Sequence, residues 1–265
     1  MILQIITEQV IEAAKEAGKF ALKERANFLQ HKVEVKGEHN FVSYVDKTCE
    51  KMLVDALSKT VPTAGFIAEE GTGVPKEGGL NWVIDPLDGT TNYIHGLAPY
   101  AVSVALMDGQ NVLVGVVYEP NLDECFWANA DSAAYCNADI IKVSDVPKVN
   151  DSLVCTGFPY YDYTRIDQLL KSLDYFMRHS HGMRRLGSAA TDLVYVASGR
   201  FDAFYEYGLN PWDVAAGALI VERAGGKVCD YSKGKNYIFG AEIIATNNLI
   251  HDEFVDVVNS FMISK

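Results

Sequence analysis

Carboxylate side chains stand at the ends of apolar segments at three places in this 265-residue chain. Glu69-Glu70 follows a short apolar run, Asp85 and Asp88 follow another, and Asp213 begins an apolar segment with helical spacing. Loops that end rigid elements are frequent locations of binding and catalytic residues. The three stretches are therefore candidates for one shared site.

The second stretch has residue types that suit both a cation and an anion. Asp85 and Asp88 are three residues apart across a Pro-Leu turn, so their carboxylates can face one point. Hard divalent cations such as Mg²⁺ prefer such oxygen ligands. Gly89 lets the backbone come close to a ligand, and Thr90 adds a hydroxyl and a free amide.

Each stretch also has a simpler interpretation when it is taken alone. Asp-Pro-x-Asp-Gly is a good turn sequence, and paired glutamates usually lie on a solvated edge. Asp213 in front of an apolar helix is first of all an N-cap residue. The combination of the three stretches is what favours a metal site.

Composition and charge exclude several classes of protein. The formal net charge is −12 and no cluster of lysine and arginine is present, so we expect no nucleic-acid binding. A phosphate ester in so acidic a chain needs a neutralising charge, for which a bound cation is the natural source. Five scattered cysteines without a C-x-x-C pair predict a reduced, cytoplasmic protein without a disulfide framework. No apolar run reaches 18 residues, so no membrane span is predicted.

The sequence lacks the motifs of several other classes of hydrolase and phosphatase. The sequence has no Gly-x-Ser-x-Gly nucleophile elbow and no P-loop. Tyr161 stands six residues after Cys155, where a cysteine phosphatase needs an arginine. A haloacid-dehalogenase phosphatase needs Asp-x-Asp, and Asp85 and Asp88 are one residue too far apart.

Hydrophobic periodicity predicts the elements that carry these residues. Helices are predicted over residues 3–30, 45–60, 189–198, 213–224 and 251–262, and strands over residues 81–84, 101–107, 112–118, 124–128, 201–205 and 243–246. Asp108-Gly109 predicts a hairpin turn in which both residues have positive φ. Pro86 is expected to end the strand predicted over residues 81–84, because proline has no amide hydrogen to donate. The alternation of strands and helices in the C-terminal half indicates a layered α/β core, in one domain over residues 1–265 with halves of about 1–145 and 146–265.

The three stretches together resemble the signature motifs of the inositol monophosphatase family. These motifs are a Glu-Glu pair, here Glu69-Glu70, then Asp-Pro-Leu-Asp-Gly-Thr-Thr-Asn at residues 85–92, and Trp-Asp-x-Ala-Ala-Gly at residues 212–217. The chain resembles the family along nearly its full length, in the order and spacing of the motifs and in total size. The resemblance implies a layered α-β-α-β-α sandwich and a Mg²⁺-dependent, lithium-sensitive phosphatase for inositol monophosphates or other small phosphorylated substrates. It also implies a homodimer.

The resemblance further implies a ligand set for two to three Mg²⁺ ions. Glu69 would bind one metal and serve a third, weaker one, and Asp85 would bridge two. The carbonyl of Leu87 would also ligate. Asp88 and Asp213 would hold the second metal.

Catalytic and substrate roles carry over in the same way. Thr90 would orient the attacking water, with Asp46 supporting that water and Lys36 on a mobile loop nearby. The amides of Gly89 and Thr90 would hold phosphate oxygens, so that no covalent enzyme nucleophile is needed. The remaining substrate contacts implied by the family are Asp88, Asp213, Glu206 and the backbone around Gly187, Ser188 and Ala189.

These motifs leave the substrate open. Fructose-1,6-bisphosphatases and phosphatases acting on NADP or phosphoadenosine phosphate share the same set of metal ligands. A protein that kept the fold and acts by binding a partner is a further alternative, although every metal ligand is present here.

Overall fold

The computed structural model describes the backbone of residues 2–26, 33–37 and 40–263, and the side chains of residues 2–26 and 43–263. The helices are α1 (Ile2–Arg25), α2 (Tyr44–Thr60), α3 (Thr90–His95), α4 (Ile166–His179), α5 (Ala189–Ala197), α6 (Pro211–Arg223) and α7 (His251–Met262). The strands are β1 (Val33–Gly37), β2 (Asn40–Ser43), β3 (Gly65–Ala68), β4 (Leu80–Asp88), β5 (Ala101–Asp108), β6 (Asn111–Glu119), β7 (Glu124–Asn129), β8 (Tyr135–Cys136), β9 (Asp139–Ile140), β10 (Leu153–Thr156), β11 (Gly182–Arg184), β12 (Ala203–Tyr207), β13 (Lys227–Cys229) and β14 (Glu242–Thr246).

Two sheets organise these elements. The larger sheet has the order β3-β4-β5-β6-β7-β8-β9 and is antiparallel except for the β3–β4 pair. The smaller sheet has the order β11-β10-β12-β14-β13, with β10 parallel to both of its neighbours. Strands β1 and β2 form a separate antiparallel pair.

Alternation along the strands of the larger sheet directs side chains to two different cores. On β4, Trp82 and Ile84 pack against α1 and α2, whereas Val83 packs against α5 and α6. The second face of the smaller sheet packs against α4 and α7. The layers are therefore α1 and α2, the larger sheet, α5 and α6, the smaller sheet, and α4 and α7. The predicted α-β-α-β-α sandwich is confirmed.

The long first helix follows its predicted apolar stripe. Ala13, Ala14, Ala17 and Ala21 are buried along one face, as the helical spacing indicates. The predicted end at residue 30 is too late, because α1 ends at Arg25. Residues 27–32 lie outside the described part of the chain.

Two local predictions around the β4–β6 meander are wrong. Strand β4 does not end at Pro86, since its ladder with β5 shifts register after Asp85 and resumes at Asp88. The irregularity accommodates a residue that has no amide hydrogen to donate. In the hairpin, Asp108 belongs to β5, and only Gly109 has a positive φ, of 58°.

Two predicted starts near the C-terminal half also shift. Strand β12 runs over Ala203–Tyr207 instead of residues 201–205, which places Glu206 inside a buried strand rather than at its end. Helix α6 begins at Pro211 with Asn210 as its N-cap, so Asp213 is the third residue of the helix and not its cap.

Helix α6 lies unusually close to the middle of the larger sheet at Gly115 on β6. A Cβ atom at Gly115 would lie 2.7 Å from the carbonyl oxygen of Ala216, which is backbone and cannot rotate away. We expect Gly115→Ala to lower the free energy of unfolding by about 1–3 kcal/mol, because added atoms in a packed layer push its elements apart. Urea denaturation measures this change.

Gly182→Ala is the matched control for this substitution. A Cβ atom at Gly182 would have its nearest neighbour at 3.5 Å, which is an ordinary van der Waals distance. Its unfolding free energy should stay within about 0.5 kcal/mol of the wild-type value. Equal stability of the two variants would contradict the close approach of α6 to β6.

Candidate functional site

The ends of β4, α3, α5 and α6 meet at one cleft. Its cavity volume is about 140 Å³. The cleft brings together most of the predicted site residues, namely Glu69, Asp85, Leu87, Asp88, Gly89, Thr90, Gly187, Ser188, Ala189, Glu206 and Asp213. Asp46 does not line the cleft, but it accepts a hydrogen bond from Thr90, which does. The side chain of Lys36 lies outside the described residues.

A cluster of three carboxylates forms the floor of the cleft. One oxygen from each of Asp85, Asp88 and Asp213 lies within 4.8 Å of the others. Asp85 is only 2% exposed, so it has almost no water to stabilise a negative charge. Glu69 lines the same cleft but does not belong to this close group.

Asp213 is oriented by the start of α6. The backbone amide of Asn210 donates to its Oδ2 at 2.7 Å, and the Asn210 side chain in turn accepts from the backbone of the helix. This reciprocal arrangement is a capping box, which points the carboxylate back over the helix N-terminus. The positive end of the helix dipole favours a negative charge there.

Asp88 is held in a similar way by α5. Its Oδ2 accepts hydrogen bonds from the hydroxyl of Ser188 at 2.6 Å and from the amide of Ala190 at 2.7 Å. Ser188 is the N-cap of α5, so the predicted substrate segment 187–189 also fixes a predicted metal ligand. Asp85 accepts a hydrogen bond from the amide of Leu87 to its Oδ1 at 2.9 Å.

Burial raises the pKa values of all three carboxyls, and repulsion from neighbouring carboxylates adds to the shift for Asp85 and Asp213. Burial is the main cause of a pKa of Asp85 well above its ordinary value, followed by the charges of Glu69, Asp88 and Asp213. Burial raises the pKa of Asp88 to about 6 against the hydrogen bonds from α5, and raises that of Asp213 to about 7 with a contribution from Asp88. A divalent cation relieves both effects, so this set of hard oxygen donors fits Mg²⁺.

A partly buried hydroxyl and a fully buried carboxylate form a hydrogen-bonded pair beside the cluster. The hydroxyl of Thr90 donates to Oδ1 of Asp46 at 2.8 Å, and its oxygen lies 3.0 Å from the carbonyl of Leu87. Asp46 is fully buried at the start of α2, where Ser43 donates its amide and its hydroxyl to Oδ2 at 2.9 and 2.5 Å. Burial raises the pKa of Asp46, whereas the bonds from Ser43 and Thr90 lower it.

Gly89 allows two loops to meet above the cluster. It caps α3 with φ 95°, and a Cβ atom there would lie 3.2 Å from the carbonyl oxygens of both Gly187 and Pro99. Asn92 ties the same region together, since its side-chain amide donates to the carbonyls of Pro99 and Leu186, both at 2.8 Å. The segment 85–92 and the segment 187–189 are thus one structural unit.

Glu206 also lines the cleft. It is 8% exposed, and a Cβ atom at Gly157, directly after β10, would lie 2.0 Å from its carboxylate, so any larger residue there would displace the Glu206 side chain. Burial raises its pKa well above the ordinary value, and the charges of Asp213 and Asp88 add to that shift.

Comparison with known proteins identifies this arrangement. The sequence model described as "Inositol monophosphatase family" matches residues 3–260. The chain belongs to the inositol monophosphatase family.

Relatives of this inositol monophosphatase family member have different names. A Neisseria meningitidis protein named putative Nus factor SuhB is 37% identical over 94% of this chain and 96% of its own length. A Thermotoga maritima protein named fructose-1,6-bisphosphatase/inositol-1-monophosphatase is 38% identical over 84% of each chain. The crystal structure of the extragenic suppressor protein SuhB from Bartonella henselae has a TM-score of 0.90 at 35% identity, covering 96% of this chain and 98% of that one.

Sequence reasoning missed Arg185, the one basic side chain among the described residues that line the cleft of this family member. Its guanidinium donates to the hydroxyl of Tyr160 at 2.9 Å and lies 5.5 Å from the ring centroid of Phe158. Its charge lowers the pKa values of Asp88 and Glu206. Its position two residues before the segment 187–189 was the available signal, but a lone arginine in a loop has no periodicity to interpret.

The raised pKa values predict how stability depends on pH when the protein is kept in EDTA. The folded state holds protons on Asp88 and Asp213 up to pH of about 6 and 7, whereas the unfolded chain releases them near pH 4. The free energy of unfolding should therefore fall by several kcal/mol as pH rises from 4 to 8, since each unit by which folding raises a pKa contributes about 1.4 kcal/mol. Saturating Mg²⁺ should reduce this fall.

Urea denaturation at a series of pH values measures the effect. Asp213→Asn is the comparison, since it removes one of the titrating carboxyls and should make the decline in EDTA shallower. A wild-type slope equal to that of Asp213→Asn would contradict the assignment of the raised pKa values to this cluster.

Proposed function

We propose that this chain is a Mg²⁺-dependent phosphomonoesterase. It hydrolyses inositol monophosphates, or similar small sugar phosphates, to the free alcohol and inorganic phosphate. The observation that carries the proposal is the group of three carboxylates within 4.8 Å of one another, in a cleft beside the hydrogen bond between Thr90 and the buried Asp46. Membership of the inositol monophosphatase family supports it.

The proposed cation ligands are Asp85, Asp88, Asp213, Glu69 and the carbonyl of Leu87, for two to three Mg²⁺ ions. The first three are the close carboxylates, and the other two border the same cleft. Bound Mg²⁺ supplies positive charge against the phosphate and lowers the pKa of a water molecule.

The hydroxyl of Thr90 is the proposed orienting group for the attacking water. Its proton is engaged by Asp46, so its oxygen lone pairs remain as acceptors on the cleft side. A water that donates to this oxygen is thereby fixed in direction. Asp46 acts as a positioning residue, since it is buried behind Thr90.

The substrate is held by backbone and by Glu206 in this proposal. Gly89 and Thr90 lie at the start of α3, where helix amides have no intrahelical partner and can donate to phosphate oxygens. Glu206 accepts hydrogen bonds from hydroxyls of the polyol, at a pocket bordered by Gly187, Ser188 and Ala189. Lys36 near the water, a homodimer, lithium sensitivity and a cytoplasmic location remain predictions from the resemblance.

None of the helices in the described part of the chain is both long and apolar enough to cross a membrane.

A second candidate function is the binding of a protein partner. The relative named putative Nus factor SuhB favours it, because that chain is 37% identical and aligns over nearly its full length. Within the enzyme class, the relative from Thermotoga maritima favours fructose-1,6-bisphosphate as an alternative substrate. Release of inorganic phosphate from a panel of phosphate esters distinguishes an enzyme from a binding protein and ranks its substrates.

The first test is metal dependence together with Asp85→Asn. Phosphate release from inositol 1-phosphate should require Mg²⁺ and stop in excess EDTA. Asp85→Asn should lower the rate by about 10³-fold or more, since each 1.4 kcal/mol of lost transition-state stabilisation costs about tenfold. The variant should still fold, because one of several repelling carboxylates has been removed.

Asp108→Asn serves as the control, since Asp108 is an exposed carboxylate in the same sheet. Its rate should equal that of the wild type. Activity in EDTA, or near-normal turnover by Asp85→Asn, would contradict the proposed role of the cluster.

Substrate selection is tested by Glu206→Gln. If Glu206 accepts hydrogen bonds from the polyol, the substitution should lower kcat/KM for inositol 1-phosphate. The loss of transition-state stabilisation should be about 1.5–3 kcal/mol, the scale of a hydrogen bond to a charged group. An aryl phosphate has no polyol, so its kcat/KM should change much less. A parallel loss on both esters would mean that Glu206 supports the metal site or the fold instead.

A further inference from the structure

Helix α2 has a second fully buried carboxylate besides Asp46, and the proposed reaction does not use it. Glu50 is 0% exposed and lies four residues after Asp46, which places both carboxylates on the same face of the helix. A buried carboxylate is costly unless hydrogen bonds compensate for its lost hydration. Its partners therefore indicate why it is there.

Both oxygens of Glu50 accept hydrogen bonds from one backbone turn. The amide of Glu70 donates to Oε2 at 2.7 Å, and the amide of Thr72 donates to Oε1 at 2.8 Å. Between them, Gly71 has φ 82° and donates its own amide to the carbonyl of Ala68 at 3.1 Å. The carboxylate thus spans the turn that begins directly after Glu69.

The side of the turn before Glu70 is fixed by the larger sheet. The amide of Glu69 donates to the carbonyl of Ile84 at 3.2 Å, which continues the β3–β4 pairing by one residue. Glu69 therefore sits between a strand ladder on one side and the Glu50 carboxylate on the other. Hydrogen bonds from amides to a carboxylate are about twice as strong as those between neutral groups.

We propose that Glu50 is a positioning residue for divalent-cation binding. By holding the turn 70–72 it fixes the direction in which Glu69 extends toward Asp85, and so sets the affinity of the cleft for Mg²⁺. This inference rests on the proposed function, since it takes the carboxylates of the cleft to be cation ligands. With Asp46 holding Thr90 and Glu50 holding the turn after Glu69, α2 contacts two segments that line the cleft.

Glu50→Gln is the test, because it keeps the size of the side chain. One oxygen becomes an NH₂ group that faces a backbone N–H, so one of the two hydrogen bonds is lost and two donors oppose each other. The Kd for Mg²⁺, measured by isothermal titration calorimetry without substrate, should rise about 10–100-fold. The Mg²⁺ concentration for half-maximal activity should rise by a similar factor, while kcat at saturating Mg²⁺ stays within about threefold of the wild type.

Asp55→Asn is the matched control, since it removes an exposed carboxylate from the same helix, and its Kd for Mg²⁺ should not change. Glu50→Asp provides a second variant if the glutamine protein does not fold. Its shorter acid should raise the Kd by a smaller factor.

The outcomes separate positioning from a purely structural role. A lower Tm in EDTA with an unchanged Kd for Mg²⁺ would overturn the inference, and so would a fall in kcat that extra Mg²⁺ does not restore. A wild-type protein that binds no Mg²⁺ would instead contradict the proposed function. Tight wild-type binding with weakened binding in both Glu50 variants supports the positioning role.

Discussion

Electrostatic repulsion among Asp85, Asp88 and Asp213 is the constraint on which the rest of the structure depends. Three carboxylates confined within 4.8 Å, in a cleft where burial raises their pKa values, oppose folding unless protons or cations neutralise them. The chain compensates with donors from elsewhere, which are the start of α5 for Asp88 and the start of α6 for Asp213. The scaffold thus holds three carboxylates close together although their charges repel each other. A cation that neutralises this repulsion is bound more strongly for that reason.

Helices α5 and α6 can supply those donors because they lie between the two sheets. Both helices begin at the cleft, so the positive ends of their dipoles face the clustered charges. The close approach of α6 to β6 at Gly115, and the hydrogen bond from the Ser103 hydroxyl on β5 to the carbonyl of Trp212 at 3.1 Å, fix the helix against the sheet. The position of Asp213 relative to Asp85 therefore follows from the packing of a central layer rather than from a loop.

The sequence predicted those elements whose ends and apolar face can be recognised from the residues of the element alone. Helix α7 matches its predicted range, because a single amphipathic stripe with clear ends determines it. The end of β4 was wrong, because a bulge that accommodates Pro86 depends on the partner strand and not on proline itself. Helix α4 was not predicted, although Leu169, Leu173 and Phe176 have helical spacing. Glu50 and Arg185 could not be found in this way, since their partners lie 20 or more residues away and are brought together only by tertiary packing.

This chain belongs to a family whose members have the names of phosphatases and of Nus factors, so a surface beside the carboxylate cluster is a candidate for recognising a substrate or a partner. In this chain the nearest candidate is the aromatic rim of the cleft, where Phe158 and Tyr161 are 45% and 58% exposed. The rim is connected to the cluster, because the hydroxyl of Tyr161 donates to the carbonyl of Gly208 at 3.3 Å and lies 3.5 Å from the side-chain amide of Asn210. Asn210 is the residue whose backbone amide holds Asp213. The aromatic rim and the ligand Asp213 therefore share Asn210 as a common contact.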